Sequence, residues 1–302
     1  MGEWKDGGWW YYYAIGLLVK EPLGWLILLA MSFVSWLPPL LATLRVRRLQ
    51  QTNVNATDSS SRPALVPLRE YAILLLPAVL VFALVSRETG FNHHVRYVIP
   101  ALPFLFVFAS RLSVFAERSR VVRYCVHALV AWQLASVLWY SPHWLSYFNE
   151  IAGGPENGDQ WLLSSNIDWG QDLINLKTWQ EQHSEAEPLF TILNSQYSPT
   201  VCGVDVRLPE FLTRKPDRPG IAPSLPEKVF EPEPGWYAIS VTALHGARGS
   251  VFSPSSKTSV YPARVAWFKD RTPIDRVGYS IRIYQVASDD LSPLPGSQEH
   301  LP

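Results

Sequence analysis

Two cysteines in 302 residues are too few for a disulfide framework. Cys125 lies inside an apolar run and Cys202 in a polar half, so both are expected to be free thiols and no thiolate metal site is expected. Net charge is missing as well: 26 Lys and Arg balance 26 Asp and Glu. That balance supplies no basic field for nucleic acid and no acidic tail for a basic partner. The chain has no GxxxxGK[ST] phosphate loop, no GxSxG nucleophile elbow and no HExxH metal helix. Its start lacks the basic region, apolar core and small-residue cleavage site of a secretory signal. Within the long apolar runs, ionisable side chains stay near the ends, His127 being the main exception. Proton relays and ion pathways place more such groups inside the bilayer, which disfavours a transporter or channel.

The mean hydropathy of +0.03 hides two opposite halves. A hydrocarbon core of about 30 Å needs roughly 20 helical residues. Four segments meet or approach that length: Leu23 to Leu44, Tyr71 to Ser86, Val95 to Val114 and Val121 to Tyr140. The second is the shortest and spans only if Arg69 and Arg87 snorkel to the interfaces. Beyond Tyr140 no run is long enough to cross a bilayer. The expected architecture is therefore a multi-pass α-helical membrane domain of about four transmembrane helices, followed by a small extracytoplasmic α/β domain. Residues 1–22 read as an outer-face interfacial segment, 23–140 as the helical domain, 141–287 as the α/β domain and 288–302 as a disordered tail. The side follows from arginine placement, because short cytoplasmic loops carry the positive excess. Arg45, Arg47, Arg48, Arg62 and Arg69 follow the first span, and Arg111, Arg118, Arg120 and Arg123 are read as the loop between the third and fourth. The inner membrane of a bacterium is then the expected location, with the C-terminal domain in the periplasm. The aromatic run from Trp4 to Tyr13 is expected along the outer interface.

In the polar half, Asp168 followed three residues later by Gln171 reads as a helix N-cap with its capping-box partner, opening an amphipathic helix over Trp169 to Gln182. Leu189 to Asn194, Trp236 to Leu244 and Gly278 to Val286 read as strands. Proline-rich Thr213 to Gly235 and serine-rich Gly246 to Pro262 read as surface loops.

The sharpest cluster of donors is RETGFNHHVRYVIP, where His93, His94 and Arg96 gather at the outer end of the third span. The planar fork of Arg suits a lipid phosphate, and His adds a hydrogen bond or a proton. The same residues could equally anchor a helix end. Lys20, on the same side, could add charge or act as a snorkelling anchor offset by Glu21. Between Ser146 and Leu173 the block SYFNEIAGGPENGDQWLLSSNIDWGQDL carries Glu150, Glu156, Asp159, Asp168 and Asp172. These could supply a general base, or a calcium site if their oxygens converge, but the spacing is not that of an EF-hand loop and favours caps and turns. His143, Asn149 and Asn157 have structural readings of the same kind.

The pieces GGWWYYYAIGLLVKEPLG, RYVIPALPFLF and SYFNEIAGGPENG with SNIDWGQDLINLKTW, in that order, resemble the C-terminal part of bacterial multi-pass glycosyltransferases of the GT-C superfamily, a group that includes protein-mannosyltransferase-like, lipid-sugar-dependent enzymes. The likeness runs from Gly7 to about Trp179, and PGWYAISVTALHG and RVGYSIRIYQV suit the outer C-terminal domain of such proteins. It implies transfer of a sugar from a polyprenyl-phosphate donor at the outer membrane face. Arg96, Tyr97 and Pro100 match the family's RY..P pattern near the donor, whereas Glu21 stands where a KTP pattern has Thr, a departure that weakens Lys20 as a donor contact. The family carries its catalytic acid on a first outer loop, to which no residue here is matched. The expectation is a C-terminal part that lacks that loop, is inactive alone and works with a separate N-terminal catalytic part. No cofactor is implied, and a divalent cation is left open. Two other readings stand beside it: a non-catalytic, membrane-anchored module whose periplasmic domain binds a glycan or a protein, and a degenerate product without independent function.

Overall fold

The computed structural model describes residues 9–36, 68–87, 94–195, 197–209, 212, 232–245, 249–252, 257–260 and 265–291. The chain divides into two compact units, one made of residues 2–144 and 148–154, the other of residue 1 with 145–147 and 155–302.

The first unit is helical. Helix α1, Tyr12–Lys20, buries Tyr12, Tyr13, Gly16 and Val19, a three-to-four-residue spacing that forms one apolar stripe. Two of the aromatic residues expected at the interface are therefore packed inside the protein, while Trp10 is exposed; Trp4 lies outside the described residues. Helix α2, Leu23–Trp36, leaves α1 at 117°. The rest of the first expected span, with Pro38 and Pro39, lies outside the described residues, as do Arg45, Arg47, Arg48 and Arg62. Helix α3, Leu68–Arg87, runs for 20 residues through Pro77, longer than its apolar run indicated. A 3₁₀ helix, Val95–Ala101, then leads into α4, Leu102–Ala109, and α5, Leu112–Arg118. Together these make one apolar stretch from Val95 to Arg118. Ser119 caps α6, Arg120–Trp139, by accepting from the Val122 N–H.

The connection between the third and fourth helical stretches is thus the single residue Ser119 and not a loop beginning at Arg111. Arg111 sits in the turn between α4 and α5, its guanidinium 4.9 Å from the centre of the Tyr71 ring and within 6 Å of Phe108 and Phe115. An arginine that stacks on aromatic faces is partly compensated for leaving water. Its Nε and Nη1 are buried and have no hydrogen-bond acceptor among the described residues.

Three helical stretches, Glu70–Arg87, Val95–Arg118 and Arg120–Trp139, are long and apolar enough to cross a membrane, and a fourth is if the bent α1–α2 pair counts as one. Where helices meet, small residues allow close approach. A Cβ on Gly24 of α2 would lie 2.5 Å from the Leu129 carbonyl oxygen of α6, and Ser32 of α2 donates to the Ala109 carbonyl of α4. Trp25, Leu28, Ala109 and Leu112 form the core beside these contacts.

The second unit is built on a four-stranded sheet in the order β1-β2-β6-β5. β1 is Leu189–Ile192, β2 Gly235–Ser240, β5 Asp275–Val277 and β6 Ile281–Val286. β1 and β2 are parallel and the remaining pairs antiparallel. Period-two alternation sends Phe190, Ile192, Tyr237, Ile239 and Tyr284 to one core and Leu189, Ala238, Ile281 and Ile283 to another, so both faces are covered. Helix α7, Leu173–Gln182, closes the second face with Leu173, Leu176 and Trp179.

Several expectations are corrected here. The helix starts at Leu173 and not at Trp169, because Gly170 at φ +84° breaks the helical path and Asp168 caps a turn by accepting from the Gly170 N–H. Gln171 does reach back, to the Trp169 N–H, but within that turn. The run from Trp236 to Leu244 is a strand only to Ser240; its hydroxyl then accepts from the Ala243 N–H and opens a short helix, Val241–Leu244. The serine-rich segment contains a separate hairpin, β3 Gly249–Phe252 with β4 Lys257–Val260. Residues 213–231 and the tail from 292 lie outside the described residues.

Replacing Gly24 by Leu should force α2 and α6 apart and destabilise the helical unit by about 1–3 kcal/mol, the usual cost of overpacking. Thermal unfolding in detergent checks this, with Gly24→Ala giving a smaller loss.

Candidate functional site

The outer cluster expected from the sequence is built by helix α1, the 3₁₀ helix and the turn that follows Tyr147. Lys20 ends α1, and Pro22 follows two residues later. Proline has no N–H, so the Leu18 carbonyl loses the donor that a continuing helix would supply. The fully buried Asn149 side chain fills that place, its Nδ2 donating to Leu18 O at 2.6 Å and to Glu21 O at 2.8 Å. The Asn149 backbone N–H donates to Val19 O. Its Oδ1 accepts from the Ile151 and Ala152 N–H groups and so caps its own turn. One residue holds the end of α1, the bend into α2 and the NEIAGG turn together. Beside it, the Lys20 ammonium lies 4.3 Å from the centre of the Phe148 ring, and Trp132 of α6 donates to Glu150.

Further back along α1, a Cβ on Gly16 would meet Val95 Cγ2 at 2.7 Å, so the helix and the 3₁₀ segment touch closely. This segment carries Arg96, whose guanidinium lies 5.7 Å from the Tyr97 ring centre, with the His94 ring 5.5 Å from the same ring. Val98 and Ala101 are fully buried and fix the segment, leaving Arg96 exposed. The structure thus gathers Arg96 and His94 about Tyr97, and places Lys20 against Phe148. His93 lies outside the described residues.

The carboxylates of the junction block do not converge. Among the described residues, no three His, Cys, Asp or Glu side chains gather where a metal ion could be held. Asp159 Oδ2 accepts from His245 Nε2 at 2.9 Å and from Arg282 Nη2. Burial pushes its carboxyl up, but the His245 hydrogen bond and the Arg282 charge outweigh this and hold it below the usual carboxylate range. Asp172 accepts from the Ser280 N–H and hydroxyl, tying the start of α7 to the β5–β6 turn. His245 and Arg282 are 86 and 123 residues from Asp159, and no local pattern announces either of them.

Asp168 is buried, and its Oδ2 has no partner among the described residues. Burial, opposed by the Gly170 hydrogen bond and reinforced by the Asp172 charge, pushes its carboxyl up to about 7. The folded form therefore holds a proton that the unfolded chain releases near pH 4. The resulting stabilisation is complete below about pH 4 and is lost as pH rises through 7.

No family model, curated protein or solved structure matches the chain.

Two measurements follow. Asn149→Leu removes the donors to Leu18 and Glu21 and should cost about 2–6 kcal/mol, the sum expected for two buried acceptors left unpaired; denaturation in detergent reads it. Asp168→Asn should match the parent in stability at pH 4 and exceed it at pH 8, because only the parent must ionise a buried acid; denaturation midpoints at the two pH values decide this.

Proposed function

We propose that the chain belongs to a membrane-embedded glycosyltransferase of the GT-C type, using a polyprenyl-phosphate sugar at the outer face of the bacterial inner membrane, and that it supplies the phosphate side of the donor site. The observation that carries this reading is the meeting of three distant pieces. The aromatic helix α1, the RYVIPA segment and the FNEIAGG turn are among the stretches on which the family resemblance rests, and α1 packs on each of the other two in the helical unit.

Membrane insertion is supported by exposure. Helix α6 buries none of its 20 residues, and Ile73, Leu76, Val79, Leu80 and Leu84 of α3 stand exposed. Apolar faces of that length suit hydrocarbon and would be a liability in water. Arg96 and Arg118 lie near opposite ends of the Val95–Arg118 stretch. With Arg118, Arg120 and Arg123 on the cytoplasmic side, Arg96 and the C-terminal α/β unit fall on the periplasmic side.

In this reading the Arg96 guanidinium, flanked by Tyr97 and His94, stabilises the charge that develops on the departing lipid phosphate when the bond to the anomeric carbon breaks. An arginine does this through a planar pair of donors that stays charged throughout. Lys20, its Nζ packed on the Phe148 ring, lies in the same unit. Activation of the acceptor hydroxyl requires a carboxylate base, and that role is assigned to no residue of this chain.

Arg96→Ala should weaken binding of polyprenyl monophosphate at least about tenfold, a loss in the range of one charge-assisted contact, with Arg96→Lys recovering part of it. Native mass spectrometry of the protein in nanodiscs titrated with the lipid measures the affinity. Equal affinity for parent and Arg96→Ala would falsify the assignment.

A further inference from the structure

We infer that the α/β unit carries a binding groove for a short neutral saccharide, between the C-terminal end of α7, the start of β1 and the segment around Arg207. The groove encloses about 610 Å³, and Lys177, Trp179, His183, Glu187, Asp205 and Arg207 line it. That volume is in the range of small-molecule sites.

Its centre is a ring held in one orientation. His183 stacks on Trp179 with ring centres 4.2 Å apart and planes 13° apart. Trp179 is itself anchored, its Nε1 donating to Asp275 Oδ2 at 2.6 Å. His183 Nδ1 lies 3.0 Å from the Trp179 carbonyl oxygen. A carbonyl oxygen only accepts, so Nδ1 carries the hydrogen and, in the neutral ring, Nε2 is left as an acceptor. The histidine is half-buried, with one face covered by Trp179. Such a stack offers a flat surface to the C–H face of a sugar and an acceptor to one of its hydroxyls.

The rest of the lining selects the ligand class. Lys177 and Arg207 stand against Glu181, Glu187 and Asp205, two cations to three carboxylates, a balance that gives a polyphosphate or other polyanion no favourable field to enter. Lys177 already pairs with Glu181 at 3.3 Å. Glu187, Asp205 and Arg207 are exposed. With the Arg207 guanidinium 5.3 Å from the centre of the Phe190 ring, they line the groove with both donors and acceptors, which a chain of hydroxyls can satisfy and an apolar ligand cannot. Saccharide binding stands on these observations alone and does not rest on the glycosyltransferase reading above.

The test uses the full chain in nanodiscs, with chitotriose, maltotriose and mannotriose as probes and a Ser/Thr-rich peptide for comparison, read by saturation-transfer NMR and calorimetry. At least one trisaccharide is expected to bind with a dissociation constant of about 1 mM or tighter. His183→Ala and Arg207→Ala should each weaken it by about fivefold or more, near 1 kcal/mol per lost contact, while Arg96→Ala leaves it unchanged. Because His183→Ala also removes a stacked ring, the exposed Arg207→Ala and Glu187→Gln variants separate loss of contact from loss of fold. Binding of none of the three sugars overturns the inference, as does binding indifferent to both His183→Ala and Arg207→Ala, or binding of the peptide alone. A bound trisaccharide together with lipid binding indifferent to Arg96→Ala would keep the groove and remove the glycosyltransferase reading.

Discussion

A missing proton on Pro22 governs the helical unit. Glu21, the residue before Pro22, is extended at ψ 144° and ends α1, and with no N–H on Pro22 the carbonyl of Leu18 needs a donor from elsewhere. Asn149, about 130 residues away, provides it and simultaneously holds Glu21 O and its own turn. A buried amide that satisfies several backbone groups leaves little room for substitution, because each orphaned group would cost about 1–3 kcal/mol. The 117° bend between α1 and α2 and the seating of Lys20 against Phe148 lie at that one capping arrangement.

The α/β unit is organised by the same device with charges in place of an amide. Asp159 receives His245 and Arg282, which ties the junction block to the interior strand β6 and to the end of the short helix after β2, and Asp172 receives Ser280 of the β5–β6 turn. The Asp159 cluster is costly to break, since stripping its partners leaves a buried, uncompensated carboxylate. Carboxylates that on spacing alone could have been a general base or a calcium site are thereby committed to structure. Asp168 differs, being buried without a cation and retaining its proton near neutrality.

Periodicity made much of the architecture legible. The apolar stretches ending at Arg87, Arg118 and Trp139 and the alternation in β2 and β6 are visible in composition, because a 20-residue apolar run and a period of two have few other solutions. Boundaries were legible only where local chemistry ruled. Gly170 with its positive φ, the Ser240 cap and the Ser250–Ser259 pairing of the β3–β4 hairpin lie where side chains near in sequence gave weak or conflicting signals. Of the site, Arg96 and His94 could be picked out because both sit in one short loop-to-helix segment. His245, Arg282 and His183 could not, since what distinguishes each is a partner or a stack that the chain reaches only by folding.

Length, hydropathy and the positions of proline and arginine by themselves determine that half of this chain is helical and apolar and the other half a mixed sheet domain, because those properties depend on neighbours within a turn or a strand. The folded structure alone decides which polar groups are consumed as caps and ion pairs and which remain for a ligand. That choice depends on burial and on hydrogen bonds between residues about 100 positions apart, such as Asp172 with Ser280, and no local pattern encodes it.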